Sequence, residues 1–397
     1  MKKSHLLCGY LLLISWAAAQ GPLTPPGAPA PGMKTLDQVD PRTPVNAVNT
    51  PGDATATYVI SQPGSYYLTG NILGVPGEHG IRIDASYVTL DLNGFVLDGV
   101  IGSLSGIAML DPALRGCTIR NGTLRFWGEH GLRGGSNAAL ILEDLRAEGN
   151  SEWGFYVSGS PIIMRNCTAI GNTLGGSRMS GHGLALGSIA RNNGGDGIRF
   201  ESFSFVLKDG QISGNTGEGI ATPSGGNAGA LLVRDTLTAN NQFHGINIAA
   251  QSLLARVTAV SNTFQGVRVQ RGTRVKDVQA HFNTSFGLAI QPGASVHLGP
   301  SYITGVHAMS NNAGVVVQGW RGRVQDSRFT GNTMRGLELE GGSDYSIAFG
   351  NSSTSSGWWF HTNTYGRGIS APASGPVVGN TGGAGLGTTD PWVNITH

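Results

Sequence analysis

Asn150-Ser151-Glu152-Trp153-Gly154, Asn172-Thr173-Leu174-Gly175-Gly176 and Asn193-Gly194-Gly195-Asp196-Gly197 share one pattern, an asparagine followed four positions later by glycine. The pattern recurs at Asn215/Gly219, Asn241/Gly245, Asn262/Gly266, Asn283/Gly287 and Asn332/Gly336, about every 21 to 22 residues where it is regular. A unit that short cannot enclose a core by itself, so neighbouring copies must stack and share one. Aligning the copies on the asparagine tests this. Five residues after it stand Phe155, Ile198, Ile220, Ile246, Val267, Leu288 and Leu337, with Ser177 the exception. Seven after it stand Val157, Met179, Phe200, Ile248, Val269, Ile290 and Leu339, with Thr222 the exception, and eight before it come Leu142, Met164, Leu207, Val233, Leu254, Val275 and Val324. Inward positions two apart mark strands. Each copy is therefore expected to be a coil of short strands, stacked in parallel about 4.8 Å from the next. The asparagine passes amide hydrogen bonds between coils, and the glycine is expected to relax the backbone at a sharp turn.

Coils of this size and pattern resemble the right-handed parallel β-helix repeat family of the pectate-lyase-like superfamily. The resemblance implies an all-β fold, a single-stranded right-handed parallel β-helix of roughly a dozen coils, spanning residues 80–360. Tyr58-Val59-Ile60 and Tyr66-Tyr67-Leu68 flank Pro63-Gly64, so residues 45–79 are expected to be an N-terminal β cap over the first sheet edge. Residues 361–397 read as a glycine-rich C-terminal tail or cap, with Trp358-Trp359-Phe360 plugging the end of the core.

Of the 397 residues, 63 are glycine and 13% are charged, which suits many tight turns. The net charge of +2 comes without a run of lysine or arginine, so nucleic acid is excluded as an expected partner. Lys2, Lys3, the apolar stretch Leu6–Ala19 and the small residues Ala17-Ala18-Ala19 read as a secretory signal peptide at 1–19, cut before Gln20. The protein is thus expected outside the cytoplasm: extracellular, on the cell surface or periplasmic. Residues 20–44 read as a proline-rich linker, and no later segment has membrane-spanning length. Cys117 and Cys167 lie about two coils apart, roughly 10 Å, too far for a disulfide. They read as core-lining thiols, and the chain as a monomer.

Six residues before the repeated asparagine runs a polar column: Asp144, Asn166, Asp209, Asp235, Arg256, Asp277 and Asp326. Calcium would want several such carboxylates together. Basic neighbours such as Lys208, Arg234 and Lys276 favour charge pairing and turn formation instead, so neither a metal nor any other cofactor is expected. Six residues after the asparagine, an expected solvent-facing stripe carries Tyr156, Arg178, Arg199, Ala221, Asn247, Arg268, Ala289 and Glu338, with Glu201 two positions beyond Arg199. Tyr156, Arg178, Arg199 and Glu201 are the candidate substrate-binding residues. An aromatic ring beside stacked guanidiniums suits an acidic polysaccharide, because arginine grips carboxylates through two parallel hydrogen bonds.

Gly181-His182-Gly183-Leu184-Ala185-Leu186-Gly187-Ser188 is similar to the histidine-containing segment of polygalacturonases. That resemblance would make His182 the active-site histidine. Asp196 and Glu152, among the nearest acids by coil counting, complete a candidate catalytic set, since glycoside hydrolysis needs flanking carboxyl groups. A turn column holding Ser160, Gly225, Gly272, Gly293 and Gly342 accounts for the same stretch structurally. Glu78-His79 and Glu129-His130 read as repeat-position residues. The expected function is an exported protein that binds an acidic polysaccharide along a lateral groove, with lyase or hydrolase activity as the form any cleavage would take. The alternative is a non-catalytic structural or adhesive surface protein.

Overall fold

The computed structural model describes residues 41–353, with short breaks at 138, 203, 224–229, 249–251, 293–299, 319–321, 340–345 and 350, and strand backbone at 358–360, 364–370, 377–379 and 394–396. The expected signal peptide and nearly all of the expected linker lie outside the described residues, as does the loop at Ser224–Asn227. Among the described residues there is no helix, and parallel strands wind into a solenoid of about 12 turns.

Each regular coil has three faces. Face A follows the repeated asparagine, as in Ile246–Ile248 and Val267–Gln270; face B is represented by Phe205–Lys208 and Arg274–Lys276; face C is a strand of three, as in Ile189–Arg191 and Gln279–His281. Two corners bracket face C, and both put one residue in the left-handed region. The first is the polar column, where Asp144, Asn166, Asp209, Asp235, Arg256, Asp277 and Asp326 all have φ between 50° and 56°. Asp and Asn tolerate that conformation best among residues with a side chain, so turn geometry accounts for the column that offered carboxylates to calcium. The second corner is the residue before each repeated asparagine, for example Asn192, Asn240 and Ser261, each at φ 55°.

The three inward columns are buried, including the exceptions Ser177 and Thr222. Face C adds a buried inward column that is mostly small, Ala147, Ala169, Ala190, Thr238, Ala259, Ala280 and Ala308, with Ile212 and Phe329 as the large exceptions. Small side chains here leave room for the asparagines, which turn inward and are themselves buried. In each rung the asparagine's backbone N–H and Nδ2 both donate to Oδ1 of the asparagine one coil on, at 2.9–3.1 Å and 2.8–3.2 Å. Nδ2 also donates to a face C carbonyl of the preceding coil, such as Ala169 for Asn193.

This ladder runs from Asn150 to Asn332 through Asn311, which the spacing rule passes over. Asn311 is followed by glycine after three residues, not four, so the apparent gap after Asn283 is a full coil with its own rung. The glycines of the repeat also have a different cause from the one expected. They do not take positive φ; a Cβ on Gly154 would lie 2.8 Å from both the Gly176 carbonyl oxygen and Asn172 Nδ2. Space between coils, not turn geometry, demands them.

The stack is longer than residues 80–360. Ala56–Ile60 already pairs in parallel with His79–Ile83, and Gly64–Tyr67 with Val88–Asp91, so most of the expected cap is a coil. The antiparallel hairpin of Pro51–Asp53 with Ala56–Ile60 sits at its start, and Thr43–Pro44, assigned to the linker, pairs with Tyr66–Tyr67. At the other end Trp358–Phe360 continues the register of Leu337–Leu339, and parallel pairing runs on through Val377–Gly379 and Asn394–Thr396 inside the expected tail. Cys117 and Cys167 are free and buried, and burial pushes the Cys167 thiol up to about 12.

Candidate functional site

Strand register on face A lines up Arg133, Tyr156, Arg178 and Arg199 on consecutive rungs, then Ala221, Asn247 and Arg268. The stripe is therefore physical, at about 4.8 Å per rung. At its start lies a cleft of about 320 Å³ lined by Glu129, His130, Arg133, Glu152, Trp153, Tyr156, Leu174 and Arg178.

His130 anchors that cleft. Its Nδ1 accepts the Trp153 backbone N–H at 3.2 Å, which places the ring proton on Nε2, 3.1 Å from Glu152. The ring stacks on Tyr156 at 4.7 Å between centroids with 9° between planes, and the Arg178 guanidinium lies 5.2 Å from the Tyr156 ring centroid. Burial, helped by the charge of Arg133, lowers the His130 pKa to about 4, so the ring is neutral at pH 7. The same cap recurs along one column: His79 Nδ1 accepts from Ser105 N–H, Asp196 Oδ1 from Glu218 N–H and His244 Nδ1 from Gln265 N–H.

Further along, Glu201 Oε1 accepts from Arg178 Nε at 2.7 Å and Arg199 Nε at 2.8 Å, and Arg199 also reaches Asp196 at 3.0 Å. Burial alone would raise the Glu201 pKa, but the Arg199 hydrogen bond and the charges of Arg199 and Arg178 outweigh it and hold the carboxyl below its ordinary value. Glu201 thus fixes two guanidiniums side by side.

Residues 105–264 match the family model for the right handed beta helix region. The protein is a right-handed parallel β-helix. Among solved structures, this β-helix is similar to the catalytic domain of a GH87 alpha-1,3-glucanase in complex with tetrasaccharides, at TM-score 0.40 and 10% identity over 74% of this chain and 60% of that one. The Azotobacter vinelandii mannuronan C-5 epimerase AlgE4 A-module is similar at TM-score 0.41 and 13% identity, over 81% and 91%. The Dettilon tailspike protein follows at TM-score 0.37 and 9% identity, over 78% and 61%. The chain spans about 60% of the length of the glucanase domain it matches. No curated protein matches the sequence.

The β-helix brings together Tyr156, Arg178, Arg199, Glu201 and Asp196, but it does not assemble the candidate catalytic set. Asp196 pairs in register with Gly175, whereas His182 lies seven residues farther along that strand, on the order of 20 Å away. His182 sits in the turn column, its Nδ1 3.3 Å from Ser160 Oγ of the previous coil. Glu152 is bound up with His130, two rungs from Asp196. Sequence reasoning missed His130, His244 and Glu218. The Glu-His pairs were the available signal for the first, because a histidine recurring at one position of the coil marks a shared cap.

The buried neutral histidines set a pH dependence. His130 and His244 have folded values of about 4, below roughly 6.5 in the unfolded chain. Protons then bind the unfolded chain first, so stability is complete above pH 6.5 and falls as pH drops through 4, by up to about 1.4 kcal/mol per pH unit for each ring. In His130→Asn/His244→Asn the amide oxygen replaces Nδ1 as the cap acceptor and cannot titrate. Urea unfolding at pH 7, 6, 5 and 4.5 is expected to show a shallower decline for this variant; a slope equal to wild type would refute the assignment.

Proposed function

We propose that this β-helix binds an acidic polysaccharide lengthwise along face A, as a binding protein, with Tyr156 as the stacking platform and Arg178 and Arg199 as the carboxylate grips. The observation that carries this reading is the pair of guanidiniums one rung apart, locked by Glu201 and with Arg178 seated against the Tyr156 ring. Arginines held in place before binding lose little conformational freedom when a ligand arrives. Arg133 and Arg268 extend the same stripe in both directions, which suits a polymer better than a single sugar. Export through the leader at residues 1–19 would deliver the protein to where such polymers occur.

Electrophoresis through gels cast with polygalacturonate tests the reading. The wild-type protein is expected to be retarded, and Arg178→Ala/Arg199→Ala to lose at least about tenfold in affinity, the loss of one charge-assisted pair. Because the double substitution removes two positive charges from a net charge of +2, each protein's retardation is measured against its own mobility in dextran gels, and both should melt at similar temperatures. Equal retardation of wild type and variant by polygalacturonate would rule out the stripe as the binding surface.

A further inference from the structure

Glu218 departs from its column. His79, His130, Asp196 and His244 each turn back to cap a backbone N–H of the next coil, but Glu218 sends its carboxyl sideways, where Oε1 accepts from Asn247 Nδ2 on the stripe. The reason is Ala221. It is the stripe residue of Glu218's own coil, is fully buried and has only a methyl group, too short to fill the interval between Arg199 and Asn247. Glu218 leans across that interval. The charged and titratable groups acting on it are Asp196 and Arg199 from the preceding coil and Arg268 from two coils on, with His244 next in its own column.

We infer that the Glu218 carboxyl, set over Ala221 between Arg199 and Arg268, donates a hydrogen bond to the carboxylate of one uronic acid unit and so gives the stripe its selectivity for acidic over neutral sugars. This rests on the reading of face A as a polysaccharide groove. An acid can donate such a bond only while protonated, and once ionised it repels the ligand it would otherwise hold. Burial raises the Glu218 pKa to about 7, with Asp196 adding to the rise and Asn247, Arg268 and Arg199 opposing it. The donor form therefore dominates below pH 7 and is lost above it. His130 and His244, at about 4, stay neutral throughout that range.

The test is the Kd for polygalacturonate fragments at pH 6, 7 and 8 at constant ionic strength, with dextran fragments as the neutral probe. Wild type is expected to weaken roughly tenfold from pH 6 to pH 8, since each pH unit above the pKa costs a donor up to tenfold. Glu218→Gln keeps a donor that cannot ionise, so its profile should be flat and its binding at pH 8 tighter than wild type. Glu218→Ala should bind more weakly than Glu218→Gln at every pH. A flat wild-type profile, or a Glu218→Gln profile as steep as wild type, would overturn the assignment of Glu218 and leave the groove standing. Absence of wild-type binding at all three pH values would remove the groove and this residue's role together.

Discussion

Asn193→Ala is expected to cost the fold about 2–6 kcal/mol, from two buried polar groups losing partners at about 1–3 kcal/mol each. Asn193 Oδ1 accepts both the backbone N–H and Nδ2 of Asn172, while its own Nδ2 donates to the Ala169 carbonyl and to Asn215 Oδ1. Truncation leaves the Asn172 N–H and the Ala169 carbonyl without these partners in a site no water reaches, because Asn172 and Asn193 are 0% and 1% exposed. Asn193→Asp separates hydrogen bonding from shape. It retains the accepting oxygen but sets a second oxygen, charged or protonated, where the amide donated to Ala169. It should rescue little of the loss. Urea unfolding followed by far-ultraviolet circular dichroism reads the loss globally. Because coils in a solenoid interact with their neighbours alone, amide exchange should quicken first in the coils of Asn172 and Asn193. An Asn193→Ala protein with the wild-type urea midpoint would show that the ladder decorates the core without stabilising it.

The ladder also explains how much of the fold could be read from the sequence. Alternation at Phe155/Val157, Ile246/Ile248 and Val267/Val269 is a local signal repeated at one period, and it identified strands, inward columns and the outward stripe together. What escaped depended on contacts between coils rather than on residue identity within one. Asn311 escapes the spacing rule because the segment between it and the following glycine is shorter by one residue, although the amide occupies the same place. The first coil, which begins at Ala56, falls within the cap expected at residues 45–79 because the asparagine ladder begins only at Asn150, with the Trp127 backbone N–H as its first donor. The cap column was hidden for a related reason. Its only requirement is an acceptor aimed at the next N–H, which His130, Asp196 and His244 satisfy with different side chains.

The candidate site divides in the same way. Tyr156, Arg178 and Arg199 follow from register alone, since adding one period moves one rung along the stripe. His182 was drawn in by a similarity of eight consecutive residues, but in a solenoid proximity runs across coils, and seven residues along a strand separate groups that two coils would bring close. Glu218 could not be found from its own surroundings. Its role depends on the short methyl side chain of Ala221 and on Asn247 in the following coil.

Gly176→Ala is expected to be nearly as damaging as loss of a ladder amide, at about 3 kcal/mol or more, the upper range for forcing a methyl into a packed interior. A Cβ there would press into the Gly197 carbonyl oxygen, with Asn193 Nδ2 at 3.0 Å and Ala190 Cβ at 3.1 Å. The amide cannot move away, because Asn193 Nδ2 is held by the Ala169 carbonyl and Asn215 Oδ1, and the carbonyl lies in a strand paired with the coils on either side. Gly171→Ala provides the contrast. Gly171 has φ of 65° and open space around its Cβ position, so only the left-handed backbone opposes a side chain, at about 1–2 kcal/mol. The same corner carries Asn192, Asn240, Ser261 and Phe282 in other coils, which shows that it accepts side chains. If crowding against the ladder is the cause, Gly176→Ala should cost less in an Asn193→Ala background, where Nδ2 is gone, with a coupling of about 1 kcal/mol in a double-mutant cycle. Full additivity would mean that the glycine is required by the Gly197 carbonyl alone, and a Gly176→Ala cost no larger than that of Gly171→Ala would mean that the coils have room to spare.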